Sequence, residues 1–290
     1  MRQIGGVIEE LETIKAKRKK AAFSWKTGFN SLDKVLVSYR EGDVVVVAGR
    51  PGMGKTAFCL STILNVLPGT KRNIYFFSNQ MCAEQLVLRL MAMIAGVSPH
   101  EICSDKLKNR HAIDLAKAKK VLLSAKRFFL DDSIDILNGY IERKIKNTEN
   151  HMKPLVIIDD FARLLKKDNY YDGCEREFPE VDYISKQIKR LADNTGAVIL
   201  LGVTLSRELE EEGITRPSLE LLGENRAILN LANKVILLYR ESYYVNQLNH
   251  SSPAEIIIAK NDSGPVGVVK LDFDDNAIIF KEPTRAIKLK

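Results

Sequence analysis

Apolar residues follow two patterns along this chain: short runs rich in β-branched residues, and longer stretches with helical spacing. Short apolar runs are typical of buried strands, and recurrence every three to four residues is typical of helices. The strands predicted over the first part of the chain are residues 44–48, 74–78, 128–130, 155–158 and 198–203. The predicted helices are residues 56–66, 83–95, 112–126, 137–146 and 181–194. Strands that alternate with helices indicate right-handed crossovers and a mainly parallel sheet, which is an α/β fold.

The two ends of the chain depart from that alternation. The last part contains four predicted strands with no long helix between them, residues 234–239, 254–260, 266–273 and 277–281. We expect these to be antiparallel strands at one end of the sheet. Residues 4–20 carry apolar side chains at helical spacing and end in a basic run at residues 15–20, which predicts an amphipathic helix. The basic run is either a solvated helix end or an arm that contacts a partner or DNA.

A glycine-rich loop joins the first predicted strand to the first predicted helix, and it reads G-R-P-G-M-G-K-T. Its glycines let backbone N–H groups turn toward phosphate oxygens, and the helix N-terminus adds a partial positive charge. Lys55 would reach the β- and γ-phosphates, and the Thr56 hydroxyl would ligate Mg²⁺. We therefore predict a site for ATP or ADP with Mg²⁺. The predicted nucleotide-binding residues are Gly49, Arg50, Pro51, Gly52, Met53, Gly54, Lys55, Thr56 and Ala57.

An acidic residue at the end of a neighbouring strand is the second element that a phosphate-loop enzyme needs, because it holds the magnesium shell. Asp159 directly follows the apolar run at residues 155–158. A carboxylate at that point would also suit a helix N-cap or a turn. Since the phosphate loop lies upstream, we predict that Asp159 and Thr56 together hold Mg²⁺.

Composition narrows the class of protein. The chain has 290 residues, 45% of them hydrophobic and 28% charged, so it can bury a core, and its net charge of +7 favours an anionic partner, nucleic acid first. The four cysteines form no C-x-x-C pair, as expected for reduced thiols in the cytosol rather than a disulfide framework or a zinc site. No apolar run approaches the ~18 residues of a membrane span, and no secretory signal opens the chain. We expect a soluble, cytoplasmic protein with no membrane partner.

Several motifs in order along the chain resemble one family. They are Thr27-Gly28-Phe29, the phosphate loop, F-S-N-Q-M from residue 77, L-Y-R from residue 238, and I-I-I-A-K with G-P-V-G from residue 256. Over roughly residues 4–280 the sequence is similar to the replicative hexameric DNA helicases of the DnaB type. The resemblance implies a RecA-like phosphate-loop ATPase domain, with helices flanking a mainly parallel sheet. It divides the chain into a linker helix with its basic segment, residues 1–26, and the nucleotide-binding domain, residues 27–290.

The sequence departs from that family at positions to which the resemblance assigns catalysis. Gln80 replaces a glutamate that polarises the attacking water, and a carboxamide cannot accept a proton. Lys260 matches the family, but Asp262 replaces the arginine finger that enters the neighbouring subunit's site. Thr204 takes the place of a sensor glutamine. Asp160, which follows the predicted magnesium ligand, could substitute for the missing base.

Two classes of function remain open from the sequence. The first is a DnaB-like ATPase domain that acts in DNA replication, with weak hydrolysis. The second is a non-hydrolysing paralogue that serves as loader, inhibitor or accessory subunit of a replicative helicase. The expected partners are single-stranded DNA, other copies of the chain in a ring, or a helicase ring onto which it docks. The family's DNA-facing D-L-R-E-S-G loop aligns with residues 221–226, where only Leu222 and Glu224 match.

Overall fold

The computed structural model describes Ile4 and residues 24–104, 109–133, 139–148, 153–161, 179–205, 215–245 and 251–283. Its strands are β1 Val44–Gly49, β2 Ile74–Ser78, β3 Phe128–Asp131, β4 Leu155–Asp159, β5 Val198–Thr204, β6 Lys234–Tyr239, β7 Ser252–Asn261, β8 Gly267–Asp274 and β9 Ile279–Lys281. Its helices are α1 Asn30–Leu36, α2 Lys55–Val66, α3 Ala83–Ala95, α4 Pro99–Cys103, α5 Asn109–Ser124, α6 Tyr140–Lys146, α7 Pro179–Thr195, α8 Ala227–Leu231 and α9 Glu241–Tyr244. Two 3-10 stretches, Leu67–Gly69 and Leu219–Arg226, complete the described elements.

All nine described strands form one sheet in the order β3-β2-β4-β5-β1-β6-β7-β8-β9. The six strands from β3 to β6 are parallel. The pairs β6–β7, β7–β8 and β8–β9 are antiparallel, and the connections from β7 to β8 and from β8 to β9 are only a few residues long, which antiparallel pairing allows. The predicted fold class, a mainly parallel α/β sheet with antiparallel strands at its C-terminal end, is confirmed.

A hydrophobic core covers each face of the sheet. Alternate residues of β1 enter different cores, since successive side chains of a strand point to opposite faces. Val45 packs with Phe58 of α2 in what we call the first core. Val46 packs with Ile184 of α7 in the second core, on the opposite face. Burial on both faces explains why the central strands read as unbroken apolar runs.

Several element boundaries differ from the predicted ones by one to three residues; α5, for example, is Asn109–Ser124 where residues 112–126 were predicted. The strand predicted at residues 277–281 begins two residues later, so that prediction was wrong at its start. Asp274 Oδ1 accepts hydrogen bonds from the backbone N–H groups of Asn276 and Ala277, both at 3.0 Å, and this holds a turn before β9. The helix and basic run predicted at residues 4–20 lie outside the described residues, except Ile4, which is helical and exposed.

The T-G-F motif, residues 27–29, is held to α1 by hydrogen bonds beside the first core. Asp33 of α1 accepts hydrogen bonds from the Thr27 N–H at 2.8 Å, the Thr27 hydroxyl at 2.7 Å and the Gly28 N–H at 3.1 Å. Gly28 has φ +77°, and a Cβ there would lie 2.4 Å from Cβ of Asn65 in α2. Only glycine fits so close to a helix in that conformation.

Among the described helices none is long and apolar enough to cross a membrane.

Candidate nucleotide-binding site

The carboxyl ends of three adjacent parallel strands bring the candidate site together. Gly49 ends β1, Asp159 ends β4 and Thr204 ends β5. The Leu205 N–H donates to the Gly49 carbonyl at 3.2 Å, which ties the chain leaving β5 to the start of the phosphate loop. Open α/β sheets bind their ligands at this edge of the strands.

The phosphate loop lies between β1 and α2, as predicted, and its conformation depends on two glycines. Gly52 has φ +85° and Gly54 has φ +93°, the left-handed region that favours glycine. Close neighbours add a second constraint. A Cβ on Gly52 would lie 2.6 Å from the Tyr243 ring, and one on Gly54 would lie 3.0 Å from the Phe280 ring. The loop is therefore packed from outside by residues of α9 and β9.

Lys55 is buried at the first position of α2 and faces the acidic end of the site. Its ammonium donates to the Gly49 carbonyl at 3.0 Å. Burial lowers the pKa of Lys55, and the carboxylates of Asp160 and Asp159 oppose that shift. The phosphate loop thus carries a cation within electrostatic reach of both carboxylates, which is the charge arrangement that a phosphate and Mg²⁺ would share.

Thr56 and Asp159, the predicted magnesium ligands, are in direct contact. The Thr56 hydroxyl donates to Asp159 Oδ2 at 2.6 Å, and Asp159 is fully buried. Its other oxygen, Oδ1, accepts no hydrogen bond from any residue that the structure describes. Mg²⁺ prefers hard oxygen ligands of this kind and is usually held by one or two carboxylates with substrate phosphates. The residues present therefore fit the predicted metal.

Asp159 is expected to destabilise the native state when no metal is bound. Burial raises the pKa of Asp159, and the hydrogen bond from Thr56 only partly opposes the rise. A native pKa above the unfolded value of about 3.9 means that the native state loses stability as pH rises from that value to the native pKa.

Asp159→Asn should therefore raise the free energy of unfolding at neutral pH by about 1–2 kcal/mol, measured by urea denaturation without metal. The gain should shrink as pH falls toward about 3.9 and vanish at about pH 3, where both states of the wild type are protonated. Asp182→Asn, an exposed carboxylate of α7, is the control, and its effect should stay within about 0.5 kcal/mol. Destabilisation by Asp159→Asn at neutral pH would contradict the expectation.

Gly202 of β5 leaves the space that Asp159 occupies. A Cβ on Gly202 would lie 2.9 Å from Asp159 Oδ1 and 3.5 Å from the Ile158 carbonyl. Gly202→Ala should cost about 1–3 kcal/mol in unfolding free energy, the usual range for overpacking a core. Gly267→Ala in β8 is the matched control because its Cβ meets nothing within 4 Å. Equal thermal unfolding temperatures for the two variants would refute the close approach.

Three of the predicted catalytic positions, Gln80, Asp160 and Thr204, lie at this same edge of the sheet. β2 pairs with β4 so that Ser78 is opposite Asp159, and Gln80 follows in an exposed loop. Asp160 is buried, the peptide bond between Asp159 and Asp160 is cis, and the Thr204 hydroxyl donates to Asp160 Oδ2. The structure therefore joins two of these positions, Asp160 and Thr204, by a direct hydrogen bond.

Asn79, which sequence reasoning did not single out, clamps the main chain of Asp160. Its side-chain oxygen accepts from the Asp160 N–H at 2.8 Å, and its side-chain nitrogen donates to the Asp160 carbonyl at 3.1 Å. The Asn79 N–H also donates to the Asp159 carbonyl at 3.0 Å. Asn79 follows a buried strand and precedes Gln80. Its partner Asp160 lies 81 residues later in the chain, so the contact could be found only in the folded structure.

The predicted finger positions lie at the other edge of the sheet. β7 ends at Asn261, which pairs with Lys234 at the start of β6, and β6 runs five steps, about 17 Å, before its carboxyl end. Lys260 is half-buried and its ammonium donates to the carbonyls of Leu229 at 3.0 Å and Ala232 at 2.6 Å. Neither Lys260 nor its neighbour Asp262 can reach the phosphate loop of the same chain.

The loop aligned with the family's DNA-facing segment is a 3-10 stretch, Leu219–Arg226, with a kink at Gly223. Leu222 is buried in the second core and Leu221 nearly so. Leu222, one of the two matching positions, therefore anchors the stretch in the core. Glu224, the other match, has no described side chain.

Sequence reasoning also missed the residues that hold the phosphate loop from outside. Arg240 is buried, donates to the Gly52 carbonyl at 3.3 Å and pairs with Asp275. Its guanidinium lies 3.7 Å from the centroid of the Phe273 ring. Arg240 belongs to the L-Y-R motif, but nothing in the sequence pattern indicates that its partner is the loop 188 residues earlier.

A parallel sheet with a glycine loop, a Lys-Thr pair and a strand-end aspartate at one edge defines a phosphate-loop nucleoside triphosphatase fold. Comparison with known proteins narrows this class. Residues 25–282 match the family described as DnaB-like helicase C terminal domain. The chain belongs to this family, and the RecA-like, DnaB-type assignment made from the motifs is confirmed.

Relatives of known name agree with that family. A probable replicative DNA helicase of Trieres chinensis is 32% identical over 280 residues, covering 94% of this chain and 60% of the relative. The replicative DNA helicase DnaB of Geobacillus stearothermophilus is 32% identical over 247 residues, 85% of this chain and 54% of the relative. The chain thus spans 54–60% of the length of these two relatives.

The fold is shared with solved structures over nearly the whole chain. A solved structure of an ATPase domain superposes with a TM-score of 0.81 at 25% identity, covering 96% of this chain and 98% of that domain. A DnaB-like replicative helicase, whose interactions with primase were determined, superposes with a TM-score of 0.81 at 25% identity over 93% of this chain and 67% of that one.

Proposed function

We propose that this chain is a DnaB-type replicative helicase ATPase domain that binds ATP with Mg²⁺ but hydrolyses it slowly. The observation that carries the proposal is the contact between Thr56 and Asp159 beside Lys55. It joins the phosphate loop to a buried carboxylate with one oxygen unsatisfied among the described residues. A glycine turn that binds no nucleotide would have no need of that geometry.

Different groups of the site hold the phosphates and the metal. Backbone N–H groups of the loop and the Lys55 ammonium hold the phosphates, while Thr56 and Asp159 hold the metal. A bound Mg²⁺ held by Thr56 and Asp159 would supply positive charge that offsets the negative charge of the phosphates during transfer. Gln80 orients the attacking water without taking its proton, because a carboxamide has no basic oxygen at neutral pH. Asp160, the buried carboxylate that follows the proposed metal ligand, could take part in its place.

A second candidate function is a nucleotide-binding accessory subunit that acts on a genuine helicase ring. The location of Asp262 supports this alternative. It lies at the edge opposite the phosphate loop, so the γ-phosphate that it could approach is that of another subunit, and a carboxylate there would repel that phosphate. Its side chain remains 47% exposed, although Asn233 contacts it at 3.4 Å.

Steady-state ATP turnover with and without single-stranded DNA separates the two functions. We expect wild-type turnover far below the enzyme median of about 10 s⁻¹, with little stimulation by DNA. A rate near that median would show that hydrolysis is intact and would reject the weak-hydrolysis proposal. The particle mass with and without ATP·Mg²⁺ then distinguishes a self-assembling ring from a subunit that needs a partner.

Any contact with nucleic acid should be through phosphates and without sequence preference. The motivation is the net charge of +7 and the lysines at residues 15–20 and 106–126, of which Lys117, Lys119 and Lys120 lie exposed on α5. Log affinity for labelled single strands should fall linearly with log salt, by about 0.7 for each phosphate contact. Sequence discrimination that persists as salt rises would contradict this. Absence of binding at low salt with nucleotide present would favour the accessory function.

A further inference from the structure

Arg50 belongs to the phosphate loop, but its side chain contacts residues that lie 165 and 194 positions later in the chain. It is 1% exposed. Its Nη1 donates to the Thr215 carbonyl at 3.0 Å and to the Tyr244 hydroxyl at 3.2 Å. The buried guanidinium therefore links the phosphate loop to Thr215 and to Tyr244 of α9. Loss of either acceptor would leave a buried charged donor with fewer hydrogen bonds, which is costly.

The acceptors of Arg50 belong to one aromatic cluster. The Tyr244 ring stacks on Tyr239 with centroids 6.2 Å apart and meets Tyr243 edge-on at 5.5 Å. The Tyr239 hydroxyl in turn lies 3.2 Å from the Thr215 hydroxyl. Arg50, Thr215, Tyr239 and Tyr244 therefore form a connected set of contacts between the loop, the end of β6, α9 and the chain at residue 215.

The same cluster touches the phosphate loop at a second point. The Tyr243 ring lies against Gly52, where a Cβ would approach it to 2.6 Å. If the loop shifts when a phosphate group binds, the contacts of Arg50 with Thr215 and Tyr244 and the contact of Gly52 with Tyr243 must shift with it. Densely packed contacts of this kind transmit small displacements because they are not freely deformable.

Thr215 lies shortly before the 3-10 stretch Leu219–Arg226, whose Leu221 and Leu222 enter the second core. A displacement of Thr215 therefore acts on a short segment that is held at its far end by these two leucines. Thr204, at the end of β5, donates a hydrogen bond to Asp160 at the candidate nucleotide site. This contact is separate from those of Arg50.

We propose that Arg50 is a positioning residue that couples nucleotide occupancy of the phosphate loop to the conformation of residues 215–222, with Tyr244 as its second contact. This inference rests on the proposed function, because it requires a nucleotide at Lys55 and Thr56. Arg50 transmits the loop position through the Thr215 carbonyl and the Tyr244 hydroxyl, and in this role its guanidinium does not bind phosphate.

The test is backbone hydrogen exchange of residues 215–222 in the full chain, with and without ADP·Mg²⁺. In the wild type, nucleotide should change protection there by about fivefold or more, the lower end of measured couplings. Tyr244→Phe removes one acceptor and keeps the ring. It should reduce that response by at least half while affinity for fluorescent ADP stays within about threefold of the wild type. Arg50→Lys, which keeps the charge but loses the fork geometry, should act in the same direction.

The control is Tyr183→Phe, which removes the hydroxyl of an exposed tyrosine on α7 and should leave the response unchanged. A merely structural role of Tyr244 would lower protection equally with and without nucleotide, leaving the nucleotide-dependent difference intact, and this would overturn the coupling. Nucleotide binding by the wild type with no change at residues 215–222 would overturn it as well. Failure of the wild type to bind ADP would instead overturn the proposed function and the coupling with it.

Discussion

Lys55→Ala should weaken binding of a fluorescent ATP or ADP analogue by about 100-fold or more. Hydrogen bonds to charged groups contribute about 1.5–3 kcal/mol each, and contacts to two phosphates would together give about 10²–10⁴ in affinity. The fold should survive, because Lys55 donates to only one carbonyl in the described structure and its burial disfavours the charge. A titration in the presence of Mg²⁺ measures the loss.

Lys71→Ala is the matched control for Lys55, since Lys71 is an exposed lysine in the loop before β2. It removes the same charge from the protein, so any general electrostatic effect on nucleotide binding would appear in both variants. Equal affinity in the wild type and in Lys55→Ala would refute the assignment of the phosphate loop. Loss of folding can be separated from loss of binding by comparing the unfolding transitions of both variants.

Gln80→Glu combined with Asp262→Arg should raise ATP turnover by several orders of magnitude, provided that the subunits assemble. A general base is worth about 10²–10⁴ in rate and an arginine finger about 10³–10⁵ in comparable systems. The two groups lie at opposite edges of the sheet, so in an assembly they would act at different copies of the site. Full additivity is not expected, because residues that act on one transition state rarely contribute independently.

Two variants separate the causes of that gain. Gln80→Glu with Asp262→Asn removes the repelling carboxylate without supplying a finger, so it should recover only the part due to the base and to lost repulsion. Asp262→Arg alone should stay slow if the base is limiting. Wild-type turnover equal to that of the double reversion would mean that Asp160 or another group already supplies the base. Particle mass must be measured for each variant, since an unassembled subunit cannot receive a finger.

The sequence allowed more of the fold to be predicted than of the site. Unbroken apolar runs such as residues 44–48 and 155–158 are produced by burial on both faces of a parallel sheet, so their pattern is local and visible. The turn before β9 was missed because residues 277 and 278 are apolar and therefore predicted a strand. In the structure Asp274 accepts two backbone hydrogen bonds that form the turn instead. The capping box of α4, in which Ser98 and Glu101 bond to each other's backbone, was a readable signal that apolar periodicity overlooks.

Within the site, Lys55, Thr56 and Asp159 could be placed from the sequence because each follows a strand at a fixed spacing. The structure joins two of these residues, Thr56 and Asp159, by a hydrogen bond, and their role in binding nucleotide and metal stays a prediction. The pairing of Asp160 with Thr204 and the clamp on Asp160 by Asn79 had no signal of their own. These partners are separated by 44 and 81 residues, and no local pattern specifies which loops face each other.

The sequence by itself thus determined the α/β class, the phosphate loop, the strand-end aspartate and the family, because these depend on short-range periodicity and on motifs of contiguous residues. Only the tertiary structure decided which way the remaining side chains point. It turned Arg50 from the phosphate loop toward Thr215 and Tyr244, and it placed Asp262 at the far edge of the sheet. The physical reason is that strand order and register bring together residues far apart in the chain, and hydrogen bonding of buried polar groups then selects their partners.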